Sequence, residues 1–302
     1  MTRDRESAVR VIVMATDFSE NADVALAWAE QLARQHQAAL VLVHAVASEP
    51  FAAPEFVSWP QRHAAGIRAR AESQLHRQAE AVRRRGLAVD CVLGLGSAAD
   101  VVIETADRRG ADIVIAGTRG RTGLKRLLLG STAARLIRNA RCPVLTVHPS
   151  DAGTPRPART VLVPTDFSED AILAANAAAR ILGVEGADGR LILLHTYHVA
   201  PEAMYLPASI LMDAIAAADA KVKRMIEERA AMLRQRGIRV DTVVWEGEPT
   251  STIVDQAESL AVDLIAMGTH GLSGFNRLFL GSTAERVVAS APCPVLTVRR
   301  QS

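Results

Sequence analysis

Hydrophobic residues in this 302-residue chain fall into short continuous runs, separated by stretches with helical spacing. An apolar run over residues 9–15 is followed by Ala22, Ala25, Leu26, Ala29, Leu32 and Ala33, the three-and-four spacing of one helix face. A second run covers 39–46, and after a loop a long helix is predicted over 61–85. Gly86 closes that helix, where a left-handed residue suits a helix end. A strand over 87–93, a helix over 98–109, a strand over 112–116, a glycine-rich loop, a helix reaching about 140 and a strand over 143–147 complete the pattern. Strands apolar on both faces that alternate with helices predict a parallel sheet covered on both sides.

The pattern then repeats. Thr16-Asp17-Phe18-Ser19-Glu20 recurs as Thr165-Asp166-Phe167-Ser168-Glu169, and residues 117–147 align without gaps on 268–298 with 19 identities in 31 positions. The offset grows from 149 to 151, and the two added residues fall in the glycine-rich turn 183–189, where a surface loop absorbs them cheaply. A repeat of about 150 residues is a whole domain. The chain is therefore expected to be α/β: two tandem, doubly wound, five-stranded, mostly parallel sheets (Rossmann-like) with helices on both faces. The expected boundaries are 1–148 and 159–302, joined by a proline-rich, semi-rigid linker over 149–158.

Composition narrows the function. Thirty-five Lys and Arg against 33 Asp and Glu give a net charge of +2, too balanced for a protein built to clamp nucleic acid. Aromatics are 4%, too few for base-stacking platforms. No apolar run nears the ~20 residues that span a bilayer, and no signal peptide is evident, so neither nucleic acid nor membrane is an expected partner. Cys91, Cys142 and Cys293 form no C-x-x-C pair and read as reduced, buried thiols of a cytoplasmic protein.

The candidate chemistry stands at strand ends, where open parallel sheets bind ligands. Thr16 and Asp17 follow the first strand, and Thr165 and Asp166 follow its repeat. After the fourth strand come Gly117, Arg119 and Gly120, then nine residues, then Gly130-Ser131-Thr132; the second copy has Gly268, His270 and Gly271, then Gly281-Ser282-Thr283. Glycines let backbone approach a ligand, a helix N-terminus offers N–H groups and its positive dipole end to an anion, and hydroxyls add donors. This is phosphate-binding logic. Helix capping by Ser131 and by Asp17 or Asp166 is the competing structural reading of the same residues.

The Asp after the first strand, the G-x2-G-x9-G-[ST] loop and the terminal Cys-Pro-Val-Leu-Thr-Val strand together resemble the universal stress protein family in its tandem-domain, ATP-binding form. The resemblance implies a stress-response regulator with ATP as ligand in each domain and Mg2+ or Mn2+ on the phosphates rather than on side chains. It places Asp17 and Asp166 near ribose and adenine, with the backbone at Val43 and Leu194 bordering the adenine. Gly120, Gly130, Ser131 and Thr132, and Gly271, Gly281, Ser282 and Thr283, would hold the phosphates. It further implies pairing through the last strand of each domain, within the chain or between copies, and a protein partner that the sequence does not name. One departure stands out: the family's G-x-P after the third strand is present as Gly247-Glu248-Pro249 but reads Gly96-Ser97-Ala98 in the first copy, which leaves that loop less constrained.

Other signals are weaker. Gly94-Leu95-Gly96-Ser97-Ala98-Ala99 matches a dinucleotide fingerprint but lacks the acid that should follow, and no Walker A sequence exists. His195 and His198 lack a third metal ligand and read as hydrogen-bonded strand-end histidines. Arg83-Arg84-Arg85 reads as a solvated helix end. No Ser-His-Asp, paired-carboxylate or Cys-His set recurs in both copies, so no catalytic residue is assigned. A slow ATPase or autokinase using Ser131, Thr132, Ser282 or Thr283, and a scaffold with a purely structural nucleotide, stand as alternatives.

Overall fold

The computed structural model describes residues 9–47, 61–118, 129–151, 157–182, 189–198, 205, 207–271 and 281–300. They separate into two compact units, one ending at Pro157 and the other spanning Ala158–Arg300.

The first unit runs β1 (Val11–Ala15), α1 (Glu20–His36), β2 (Ala39–Val46), α2 (Gln61–Arg84), β3 (Val89–Leu95), α3 (Ala98–Arg109), β4 (Ile113–Gly117), α4 (Ser131–Asn139) and β5 (Val144–Val147). Its strands lie in the order β3-β2-β1-β4-β5, with parallel pairing throughout. Consecutive residues Ile12, Val13 and Met14 of β1 are fully buried, as only a strand covered on both faces allows. The β1–β4 register is locked at its start by Asp112, whose carboxylate accepts from the N–H groups of Arg10 (2.8 Å) and Val11 (3.0 Å). The third strand begins two residues later than expected. Val89 is the first residue to pair with β2, opposite Leu40, because Gly86 at φ +85 still turns the chain.

The second unit repeats this order: β6 (Thr160–Pro164), α5 (Glu169–Leu182), β7 (Arg190–Tyr197), α6 (Ala208–Arg234), β8 (Arg239–Glu246), α7 (Pro249–Ser259), β9 (Leu264–Gly268), α8 (Ser282–Ser290) and β10 (Val295–Val298). Its strand order is β8-β7-β6-β9-β10, and the pairings are again parallel. Asp263 takes the place of Asp112, accepting from the N–H groups of Arg159 and Thr160 at 2.9 Å each. In both units the strand order reverses between the first and fourth strands, which opens a crevice at their carboxyl ends.

Three sequence readings need revision. Arg85 is not simply a solvated helix end: its guanidinium grips Glu30, which is 8% exposed and is also bonded by Arg34 at 3.2 Å. A buried carboxylate requires such partners. The stretch assigned to the linker begins with a 3-10 turn, Pro149–Asp151, bonded into the first unit through Trp28 Nε1 and the Asp151 carbonyl oxygen (3.4 Å). Of the three thiols, none in a disulfide, only Cys293 is buried; burial nonetheless pushes the Cys142 thiol up to about 12, which makes it inert.

Asp151 is buried. One carboxyl oxygen accepts from the His148 N–H (2.7 Å), while the other has no hydrogen-bond partner among the described residues. Burial pushes its pKa from 3.8 up to about 6. A raised carboxyl pKa means the fold favours the protonated form, so this stability is present below about pH 4 and lost as pH rises through about 6. Asp151→Asn, which keeps the acceptor for His148, should therefore stabilise the protein by about 2–3 kcal/mol at pH 7 and by almost nothing at pH 4. Urea midpoints of the two proteins at both pH values check this; equal midpoints at pH 7 would refute it.

Candidate functional site

In the first unit the turn after β1 is built by its own side chains. Thr16 Oγ1 accepts from the Phe18 N–H (3.1 Å), and Asp17 Oδ1 accepts from the Ser19 N–H (3.1 Å) and hydroxyl (2.5 Å). Ser19 caps α1 by accepting from the Ala22 N–H (3.2 Å). Asp17 thus does not cap the helix; it orients the residue that does. Phe18 sits at φ +62, unusual for a bulky residue, and its ring lies on His44, 4.3 Å between centroids. His44 Nδ1 stands 2.7 Å from the Thr16 carbonyl oxygen, so that nitrogen carries the proton and donates. The second unit reproduces the turn with Thr165, Asp166, Phe167 at φ +67, Ser168 and His195. His44 and His195 are thus hydrogen-bonded strand-end histidines, and they brace this turn. Sequence reading missed the strained phenylalanine; its only trace there was the repetition of Phe in both copies.

The fourth strand closes the crevice. The Gly130 N–H donates to the Thr118 carbonyl (2.8 Å), folding the chain back so that α4 starts beside the end of β4. Gly130 is the cap residue of α4 and offers no side-chain acceptor, so Ser131 is the first helical residue rather than a cap. The Gly281 N–H makes the same bond to Thr269 (2.9 Å) at the start of α8. Helix N-termini carry backbone N–H groups without intrahelical partners, and here no side chain from the cap position satisfies them.

These elements enclose a cleft of about 180 Å³ in the first unit. Thr16, Asp17, Val43, Gly117, Gly130, Ser131 and Thr132 all line it, so the structure brings the predicted set together apart from Arg119 and Gly120, which lie outside the described residues. Ala98 and Val102 at the start of α3 form an apolar wall that sequence reading did not single out. Gly94, part of the apparent dinucleotide fingerprint, serves packing instead: a Cβ there would lie 2.2 Å from Val101 Cγ1. The loop between β3 and α3, expected to be loose, is held by Arg135, which donates to Ser97 Oγ (2.8 Å) and Asp100 Oδ1 (2.7 Å). In the second unit Pro249 opens α7, and Glu248 caps it by accepting from the Ser251 N–H (2.9 Å).

The second site carries a charge that the first lacks. Asp170, at the position of Asn21, is buried against Gly268 and accepts from the His270 N–H (3.2 Å) and Thr269 hydroxyl (3.4 Å), with His270 Nδ1 3.4 Å away. Gly271 lies so close to Asp166 that a Cβ there would sit 2.6 Å from its carboxylate oxygen, and one at Gly281 would sit 2.9 Å from the Thr269 carbonyl oxygen. Ser282 and Thr283 open α8, and Leu194 accepts from the Thr165 N–H through its carbonyl (2.8 Å). Among the described residues no group of three or more His, Cys, Asp or Glu could hold a metal, and no helix is long and apolar enough to cross a membrane.

A parallel α/β domain used twice, each with a glycine-capped helix starting beside the end of its fourth strand, defines a class of tandem α/β proteins. The universal stress protein family model matches residues 8–148 and again 157–299. The chain belongs to the universal stress protein family. It is 29% identical over 300 residues to a universal stress protein of Mycolicibacterium smegmatis, covering 95% of this chain and 96% of that one. A single-domain universal stress protein of Thermus aquaticus is 37% identical over 142 residues, 47% of this chain and 98% of its own. The crystal structure of a universal stress protein from Archaeoglobus fulgidus shares the fold with a TM-score of 0.73 at 20% identity, covering 96% of this chain and 98% of that one.

The glycines give a direct test of close approach. Gly268→Ala places a methyl 2.6 Å from Asp170 Cβ and 2.9 Å from its backbone carbon, and should cost about 1–3 kcal/mol as overpacking. Gly66→Ala in α2 meets nothing within 4 Å and should instead gain about 0.5–1 kcal/mol. Opposite shifts of the urea midpoint are expected; a neutral Gly268→Ala would show that the contact is easily relieved.

Proposed function

We propose that the chain is an adenine-nucleotide-binding regulatory protein of the stress response, with one ATP site per domain. The observation that carries this reading is the first-unit cleft, where Gly130, Ser131 and Thr132 present a helix N-terminus opposite Asp17 across the end of β4. The donor set is backbone N–H and hydroxyl, which suits phosphate oxygens. Among the described residues no group of three or more His, Cys, Asp or Glu could hold a bare metal, so Mg2+ or Mn2+ would ride on the phosphates. Asp17 and Asp166 would face the sugar, the strand end at Val43 or Leu194 would border the base, and Arg119, Gly120, His270 and Gly271 would complete the phosphate loops. ATP with its cation would supply a state-dependent charge for the loops to respond to. The role proposed is binding rather than turnover: among the described residues no general base is paired with the hydroxyls of Ser131, Thr132, Ser282 or Thr283.

The two sites should differ. The first loop carries Arg119, Arg121, Lys125 and Arg126 where the second has His270, Leu272, Asn276 and Arg277. Asp170 adds a buried negative charge beneath the second loop, which opposes a polyphosphate. Calorimetry with ATP on Gly281→Ala reads the first site, and on Gly130→Ala the second. The first is expected to bind more tightly and lose more affinity with salt. Asp170→Asn in the Gly130→Ala background should strengthen the second site about tenfold, equivalent to about 1.4 kcal/mol. Equal affinities and salt slopes would overturn the asymmetry. Native mass spectrometry of the purified protein without bound nucleotide, after ATP addition, would overturn the site itself. Single-turnover release or transfer of label within minutes would favour the enzymatic reading.

A further inference from the structure

We propose that the second domain holds a separate binding site, between α5 and α6, for a small amphipathic anion. A cavity of about 260 Å³ lies there, floored by Val163 of β6 and Leu193 of β7 and walled by Ala175 and Leu233. Arg229 and Arg236 stand at its rim with Asn176. The nucleotide cleft of the first unit is walled instead by the helices α3 and α4; the two places meet only at the turn after the first strand, where Thr165 and Ala171 line this cavity and their counterparts Thr16 and Ala22 line that cleft.

The other copy of the domain shows what this place looks like when it is closed. There Leu26, 5% exposed, stands where Ala175 leaves space. Gln78 occupies the position of Arg229 and bridges to Asp23 through Nε2 (3.2 Å); Asp23 in turn corresponds to Ile172. Arg85 corresponds to Arg236 and is neutralised by buried Glu30, whose counterpart is Ala179. The second copy has thus lost the filling side chain and both acids, and has gained an arginine. Arg236 donates to the uncharged Asn176 (2.7 Å), and Arg229 reaches only Met232 Sδ at 3.9 Å. Among the described residues neither arginine is within ion-pair distance of an acid.

Native interiors leave few voids, and ligand pockets are mostly apolar with a few placed polar groups. At about 30 Å³ per water-sized group, the cavity takes an apolar body of roughly eight or nine carbons. The two guanidinium groups, planar and always charged, select an anionic head at the mouth. Arg229 lies within α6 and Arg236 in the turn just past its end, and both line the cavity.

Decanoate, below its micelle range, is the probe for the full-length protein, with 1-decanol as its neutral counterpart. Decanoate is expected to bind by calorimetry at one site, about tenfold more tightly than 1-decanol. Arg229→Gln should weaken it about tenfold and Arg236→Gln severalfold. Ala175→Leu should abolish it while leaving ATP binding unchanged. No decanoate binding at about 1 mM, equal binding of 1-decanol, or decanoate affinity unmoved by both arginine substitutions would overturn the proposal. The arginine variants, at the cavity rim, keep the test decisive even if Ala175→Leu loses its fold.

Discussion

Each domain depends on one constraint: its first strand must pair in parallel on both sides, with the second and the fourth strands. That pairing forces the chain across the sheet between strands, so helices must cover both faces. It also makes the strand order reverse beside the first strand. Asp112 and Asp263 hold the constraint at the amino ends: each carboxylate accepts two backbone N–H groups, while each residue's own N–H donates to the first strand, at the Val11 and Thr160 carbonyls (2.9 Å each). At the carboxyl ends the connections that leave these two strands run to opposite faces of the sheet, and the space between them is the crevice. Its walls are therefore a consequence of topology, before any side chain is chosen.

The side chains then decide what the crevice is. Thr16, Asp17 and Ser19 bind one another's backbone, and Phe18 is held in a left-handed conformation against His44. A conformation of this kind persists only where its surroundings over-determine it. The result is a rigid corner on one side of the crevice. Opposite it, Gly130 and Gly281 start their helices without a capping side chain, leaving N–H groups for whatever enters. Duplication preserved this corner and these helix starts but not the charges around them. Asp170 in place of Asn21, Ala179 in place of Glu30 and Arg229 in place of Gln78 redistribute charge in the second domain while leaving its backbone plan alone.

Much of this was legible in advance. The alternation of apolar runs and helical spacing located the elements, and the repeat identified two copies of one fold. Gly117, Gly130, Ser131 and Thr132 of the first crevice were named from glycine spacing, because a backbone that must turn tightly leaves a mark in residue type; Thr16 and Asp17 were named from their place at a strand end, Val43 from the family resemblance, and the apolar wall at Ala98 and Val102 was not named. Less legible were features whose cause lies far away in sequence. Arg85 reads as a solvated helix end until Glu30, 55 residues away, is brought beside it. Gly94 reads as part of a nucleotide fingerprint until Val101 is seen packed on it. Val89 starts its strand late because the turn at Gly86 is not finished, a matter of backbone angle rather than polarity.

The sequence by itself determined the parallel α/β class, the two-fold repeat and the positions where backbone must bend or approach closely. These are local or periodic properties, set by residue type and spacing. Only the tertiary structure decided which groups share a space. It placed Asp170 beneath the second loop, where Asn21 stands in the first copy, and it left a cavity beside Ala175 in one copy while closing it with Leu26 in the other. The physical reason is that burial and charge pairing are properties of neighbours in space, and a chain folded across its own sheet brings neighbours together from residues tens of positions apart.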